Sequence, residues 1–305
     1  MLDNLGNSTY HSLQLQFTRR LIKGFTNTTT WTWSKALGEA DLDTGATFRD
    51  PGNRSAEKRL LGFDRAHQLT SNGTYELPFG TGHFLLGNAP NWIQQAVGKW
   101  QLGGIMNFNT GAPLSLTTAA STTTGGVVGT GVGSTTSGTQ TVSNVQAQPN
   151  VVGRLPKDMG RITKLPGSVV YFDGYTQTVD PGFASVSPAC SISTACNSLV
   201  AGYSNKAIVD PNGQIVLVNP QPGQLGSLGY GTIKGPRNLG FDMDLIKRFK
   251  ITETREFEFR LDAINILNHP NFGNPNTSIN GVGTFGRITS ATGSRRFVVN
   301  TRINF

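Results

Sequence analysis

Charge is scarce in this 305-residue chain. Asp, Glu, Lys and Arg make up 14% of it, against roughly 25% in a typical soluble domain. Apolar residues are also few, at 36%. No run approaches the ~18–20 apolar residues of a transmembrane helix. The start "MLDNLGNSTYHS" has neither the basic nor the apolar region of a signal peptide. The two cysteines, Cys190 and Cys196 in "CSISTAC", fit neither a CxxC redox pair nor a zinc half-site. A small loop disulfide in an oxidising compartment and two free thiols both remain open. His11, His67, His83 and His269 stand singly, and no Ser/His/Asp or Cys/His arrangement emerges from spacing. The sequence therefore offers no enzyme, no metal site and no cofactor site. A net charge of +8 raises nucleic acid as a partner, but the basic residues are scattered pairs such as Arg19–Arg20, Lys58–Arg59, Lys247–Arg248 and Arg295–Arg296. The basic patch with interleaved aromatics that such binding needs is missing, so nucleic acid is excluded.

Glycine (38 residues), serine, threonine and asparagine are plentiful, and so is period-2 alternation, the signature of a half-buried strand. It recurs in "YHSLQLQFTRRL" (10–21), "FTNTTTWTWS" (25–34), "HQLTSNGTYEL" (67–77), "WQLGGIMNFNTGA" (100–112), "NLGFDMDLIKRF" (238–249), "EFEFRLDAIN" (256–265) and "RRFVVNTRINF" (295–305). The predicted segments run about 10–12 residues. An ordinary strand has ~5–6, and a membrane-spanning one ~9–11. Aromatics cap the apolar faces: Trp31, Trp33, Tyr75, Trp100, Phe249, Phe257 and Phe305. Such girdles mark the interfaces of an outer-membrane barrel.

Short links join the first and second strands and the fifth and sixth ("IKG", "KITETR"), while long ones join the second to the third and the fourth to the fifth. Short periplasmic turns alternating with long extracellular loops give this rhythm; the third–fourth link is longer than it allows. Arg19 and Lys247 share the parity of the apolar faces, close to predicted periplasmic turns, where they are expected to snorkel to headgroups. The prediction is an all-β, antiparallel transmembrane barrel segment of about seven long strands with long extracellular loops. Residues 1–113 hold strands one to four, 114–237 a large loop region of partly low complexity, and 238–305 strands five to seven. Within the loop region, "KAIVDPNGQIVLV" (206–218) predicts a hairpin at Pro211-Asn212-Gly213.

The polar faces carry Arg20, Asp242, Asp244, Arg248, Glu256, Glu258, Arg260, Asp262, Arg296 and Arg302. Interspersed signs suit cross-strand pairs better than steering of a charged solute. "DLDTG" (41–45) lacks the further ligands of a calcium loop, and "GTGVGS" (129–134) lacks the helix of a phosphate cradle. His269, in "NHPNFGNP", is expected to shape a rigid turn. Phe48, Phe63, Tyr171, Phe172, Tyr175, Tyr203, Tyr230 and Phe272 are candidates for solute contact or for loop packing.

Several segments resemble the C-terminal barrel of a TonB-dependent outer-membrane receptor, in the Oar-like branch that carries a carboxypeptidase-regulatory-like domain. They are "YHSLQLQFTRR", "WTWSKAL", "FDRAHQLTSNGTYELPFG", "KWQLGGIMNFNTGAPLSL", "NILNHPNFGNP" and the last strand. The resemblance implies a Gram-negative outer membrane, ~22 strands, an internal plug and energy coupling through the TonB complex by way of an N-terminal segment. It implies uptake of a large solute such as a siderophore or carbohydrate. It also implies that Phe297, Val299, Thr301, Ile303 and terminal Phe305 form the signal read by the barrel-assembly machinery. On this reading the chain is a C-terminal fragment whose open sheet edges are an aggregation hazard, and it is not expected to fold alone. A passive porin or structural barrel, and a secreted all-β adhesin or carbohydrate-binding module, are the alternatives.

Overall fold

The computed structural model describes residues 6–22, 24–39, 54–80, 85–88, 90–118, 148–156, 159–182, 205–220, 226–252 and 254–305. Seven long strands form one antiparallel wall, each paired with the next in chain order. They are β1 (Ser8–Ile22), β2 (Phe25–Gly38), β3 (His67–Glu76), β4 (Trp100–Asn109), β5 (Asn238–Lys250), β6 (Glu256–Ile264) and β7 (Arg296–Asn304). These are the seven alternating segments of the sequence.

Register turns alternation along a strand into stripes across the wall, because directly paired residues project to the same face. Trp31 pairs with Leu69, Leu69 with Phe108, and Phe108 with Leu239. Leu102 pairs with Leu245, Leu245 with Leu261, and Leu261 with Val299. A one-residue slip anywhere would send an apolar row to the polar face, and none occurs along these rows. The wall therefore has one apolar and one polar face.

At one end of the wall, Gly24 turns β1 into β2 with φ +78, and Ile251 and Thr252 donate their N–H groups to the Arg255 carbonyl between β5 and β6. The β3–β4 link lies at this end too. It holds a short helix, α1 (Asn91–Val97), closed by a Gly98 N–H bond to Gln94 O. The described part of the segment predicted as an overlong turn thus carries a helical cap.

The opposite end carries the long links. Residues of the β4–β5 and β6–β7 links fold together into a module of short strands. Thr176–Val179, Lys206–Val209, Ile215–Val218 and Asn150–Val151 make one sheet. Thr163–Leu165 and Ser168–Val170 form another with Arg287–Ile288 from the β6–β7 link. The hairpin expected over 206–218 is present, with Asp210 Oδ1 accepting the N–H groups of Asn212 and Gln214. Those N–H bonds, Gln214's first, hold its carboxyl below the usual carboxylate range.

The apolar core lies in this module and not in the wall. Leu114, Leu116, Tyr171, Phe172, Ile208, Leu217, Ile279 and Ile288 belong to one buried cluster. Loops enclosed by water must bury their own apolar side chains, whereas a wall facing lipid on one side need not. Asn219 and Asn280 exchange reciprocal amide bonds of 2.9 Å, tying the two links together.

Candidate functional site

The apolar face sets the first feature. Phe25 meets Tyr75 edge-on at 6.2 Å, and Phe249 meets Phe257 at 6.2 Å. With Trp100 and Phe305 these lie at the turn end of the wall. Trp31 stacks on His67 at 5.8 Å, with Trp33 beside them, toward the loop end. Phe25 and Trp33 stand eight residues apart on β2. That is about 27 Å of strand, or about 20 Å of height at a tilt of ~40°. The predicted girdle residues thus divide between two levels, Trp31 and Trp33 on one and Tyr75, Trp100, Phe249, Phe257 and Phe305 on the other.

Polar groups between these levels satisfy one another. Asn27 Nδ2 donates to Ser71 Oγ at 3.1 Å, Thr29 Oγ1 donates to Asn27 Oδ1 at 2.9 Å, and the Thr29 and Ser71 hydroxyls lie 2.8 Å apart. A hydrogen-bonded polar cluster costs far less in hydrocarbon than unpaired groups.

Lys247 departs from the snorkelling expectation. It is only 1% exposed, and its Nζ donates to the Gly98 carbonyl at the end of α1. The Trp100 and Phe249 rings lie 5.4 Å and 4.9 Å from the ammonium. The α1 cap reaches over the outer face and gives the cation a carbonyl and two π-faces. Arg19 lies over the Phe25 ring at 5.3 Å, near the β1–β2 turn.

The polar face has two halves. On β2 it presents Thr26, Thr28, Thr30 and Thr32, with Gln14 and Gln16 on β1 and Gln68, Thr70 and Asn72 on β3 beside them. Charge concentrates on β5–β7. Arg248 Nε lies 2.8 Å from Glu258 and 3.8 Å from Glu256, while Lys99 reaches Glu256 at 3.9 Å. Arg260 pairs with Asp262 at 2.6 Å, and Asn300 donates to Asp262 at 3.0 Å. Arg302 stands directly opposite Glu258 in the register, and Arg296 opposite Ile264. Arg20, grouped with these on sequence, lies on the far edge strand, with β2, β3 and β4 between it and β5. Asp244 faces Gly103, where an added Cβ would lie 2.2 Å from Asp244 Oδ1; only glycine leaves the carboxylate this position.

Side-chain clips hold the loop end of the wall, and sequence reasoning missed them. Asp242 Oδ1 accepts the Asn265 N–H at 2.7 Å. Asn265, in the left-handed region at φ 49, donates to the carbonyls of His269 and Gly293 and accepts the His269 N–H. Asn271 bonds both backbone groups of Leu239. Asp64, in "FDRAH", accepts the Ala36 N–H at 2.6 Å. The legible signal was polar residues among Pro and Gly in "NHPNFGNP" and just after Gly62 in "GFDRAHQ", where a chain needs fixed turns. His269 does shape that turn through its backbone.

The loop aromatics mostly pack. Tyr171 and Phe172 are core residues, with Tyr175 and Phe272 packed against them. Tyr171 Oη donates to Lys234 O at 2.6 Å, and burial pushes its phenol up to about 12. The Arg59 guanidinium covers Tyr230 at 4.5 Å, joining the first long link to the module. Phe63 is exposed. Phe48, Tyr203, His83, "DLDTG", "GTGVGS" and the Cys190/Cys196 pair lie outside the described residues.

A family model described as an outer membrane beta barrel domain matches residues 1–298. The chain belongs to that family. Comparison with curated proteins finds no match. The barrel domain lies in the outer membrane, with its apolar face against lipid. The turn end of the barrel domain is periplasmic and the module end extracellular, following the short-turn, long-loop rule.

Proposed function

We propose that this chain is the C-terminal part of the barrel of a TonB-dependent outer-membrane receptor, of the Oar-like branch, that imports a large solute such as a siderophore or carbohydrate. One observation carries the reading. Every neighbouring pair in the wall is antiparallel, so its two edges, β1 and β7, run in the same direction. An antiparallel barrel needs an even strand number to close. This wall therefore requires an odd complement of strands. A second copy in the same orientation would meet it across a parallel seam, so the complement is a different segment. Fifteen strands would complete the 22 of the large plugged transporters.

In this reading the neutral amide and hydroxyl surface of β1–β4 lines the solute or plug side, and the charged ladder of β5–β7 is mainly self-paired. The module forms the extracellular face that meets the solute. Phe297, Val299, Thr301, Ile303 and the 86%-exposed Phe305, beside the free edge of β7, present the signal for the barrel-assembly machinery. Coupling to the TonB complex passes through an N-terminal plug segment, and the protein binds and transports without catalysis.

The test is to express the gene together with its upstream coding sequence and measure conductance and uptake. A plugged receptor gives no steady channel in planar bilayers, and its ferric-siderophore or oligosaccharide uptake stops when the proton-motive force is collapsed. Stable open steps with uptake indifferent to an uncoupler would favour the passive porin and overturn the receptor reading.

A further inference from the structure

The β3–β4 link is more elaborate than a periplasmic turn requires, and it exposes large apolar side chains. Trp92 on α1 is 73% exposed, Leu86 51% and Leu85 42%. Leu86 also holds φ 60, a left-handed conformation that Gly or Asn adopts far more easily. A leucine kept in that backbone state points to use of the side chain itself.

Beneath these residues runs a groove of about 330 Å³ lined by Leu77, Phe79, Leu86, Val97, Trp100 and Leu245. Trp100 and Leu245 belong to the lipid-facing rows of β4 and β5, so the groove continues the surface already facing the bilayer. Three polar groups at the link are bonded to its own backbone carbonyls. Trp100 Nε1 donates to Ala96 O, Gln94 Nε2 to Gly87 O, and Lys247 Nζ to Gly98 O. Those bonds fix α1 at the level of the lower aromatic girdle with its apolar flank outward.

We infer that the α1 link docks on the periplasmic leaflet of the outer membrane, with Trp92 and Leu86 at the headgroup–acyl boundary and a phospholipid acyl chain in the groove. Interfacial helices bind in this way, with a shallow apolar face along the membrane plane. A lipid occupant suits a groove whose lining continues the apolar rows of β4 and β5. The inference depends on the bilayer-facing wall and is independent of what the barrel transports.

The experiment uses the whole receptor, expressed with its upstream sequence and reconstituted into phosphatidylethanolamine/phosphatidylglycerol vesicles. The fluorescence of Trp92 is taken as the difference between wild type and Trp92→Phe. Phospholipids brominated at carbons 6 and 7 should remove about half or more of this signal, those brominated at 11 and 12 less, and aqueous acrylamide little. Leu86→Asn suits the left-handed backbone, so it keeps the heat-modifiable folded band; it should cut bromolipid quenching of Trp92 about twofold. Quenching by acrylamide without bromolipid quenching would place α1 in water and overturn the inference. Quenching by neither would mean that protein covers α1, with the same consequence. Unchanged quenching in the folded Leu86→Asn variant would overturn the acyl-filled groove.

Discussion

The side chain of Asn271 closes on the backbone of Leu239 from both sides, accepting its N–H at 2.8 Å and donating to its carbonyl at 3.0 Å. A carboxamide thus supplies the pairing that another strand would give the first turn of β5. Only Asn or Gln carries a donor and an acceptor in this arrangement. Asn271→Ala should lower unfolding stability by about 1–3 kcal/mol and open the β6–β7 link to protease. Asn271→Asp keeps an acceptor but sets a carboxylate against the Leu239 carbonyl, and should be no milder. Urea midpoints of the folded protein in vesicles, compared across the variants, check both.

Lys247 is held by contacts that no anion can make. Lys247→Met keeps a long apolar stem among Trp100 and Phe249 and loses one charged hydrogen bond, a cost of about 1.5–3 kcal/mol. Lys247→Glu buries a carboxylate against the Gly98 carbonyl and should be much worse. The temperature at which the folded band disappears on gels should fall in the order wild type, Met, Glu. A Glu variant as stable as Met would contradict this account of Lys247.

Gly103 and Asp244 should be energetically coupled. Gly103→Ala drives a Cβ into the carboxylate and should cost about 1–3 kcal/mol, as overpacking does. Asp244→Ala clears the space, so Gly103→Ala in that background should cost less by at least about 0.5 kcal/mol, the lower range for contacting pairs. Strict additivity in the double-mutant cycle would show that the two residues do not meet.

Tyr171 gives the extracellular module an alkaline limit. Its folded pKa, about 12, exceeds the ordinary 10.0, so the folded state holds the proton more tightly than the unfolded one. Its contribution is complete below about pH 10 and declines as pH rises from 10 toward 12. Phenolate absorbance of wild type minus Tyr171→Phe should show one tyrosine titrating near 12. A difference titrating near 10 would mean that the phenol is hydrated.

The seven wall strands and their two faces were readable along the chain because a pleated strand repeats every two residues. Each strand carries its own face assignment, and one family of registers lines the faces up. The hairpin at 206–218 was legible for a similar reason, since its turn residues lie between its strands. The burial of Lys247 was not, because the covering carbonyl is Gly98 and chain folding alone brings the two together. Nor was the module. Its strands are two to four residues long, too short for a period, and its core joins Leu114 to Ile208 and Ile288. Arg20 illustrates the same limit within the wall: parity gave its face, but strand order placed it at the opposite edge from the charged residues grouped with it. Local periodicity determined which face of the wall is apolar and which is polar, whereas contacts between distant segments decided where the water-facing core forms and what covers each charge.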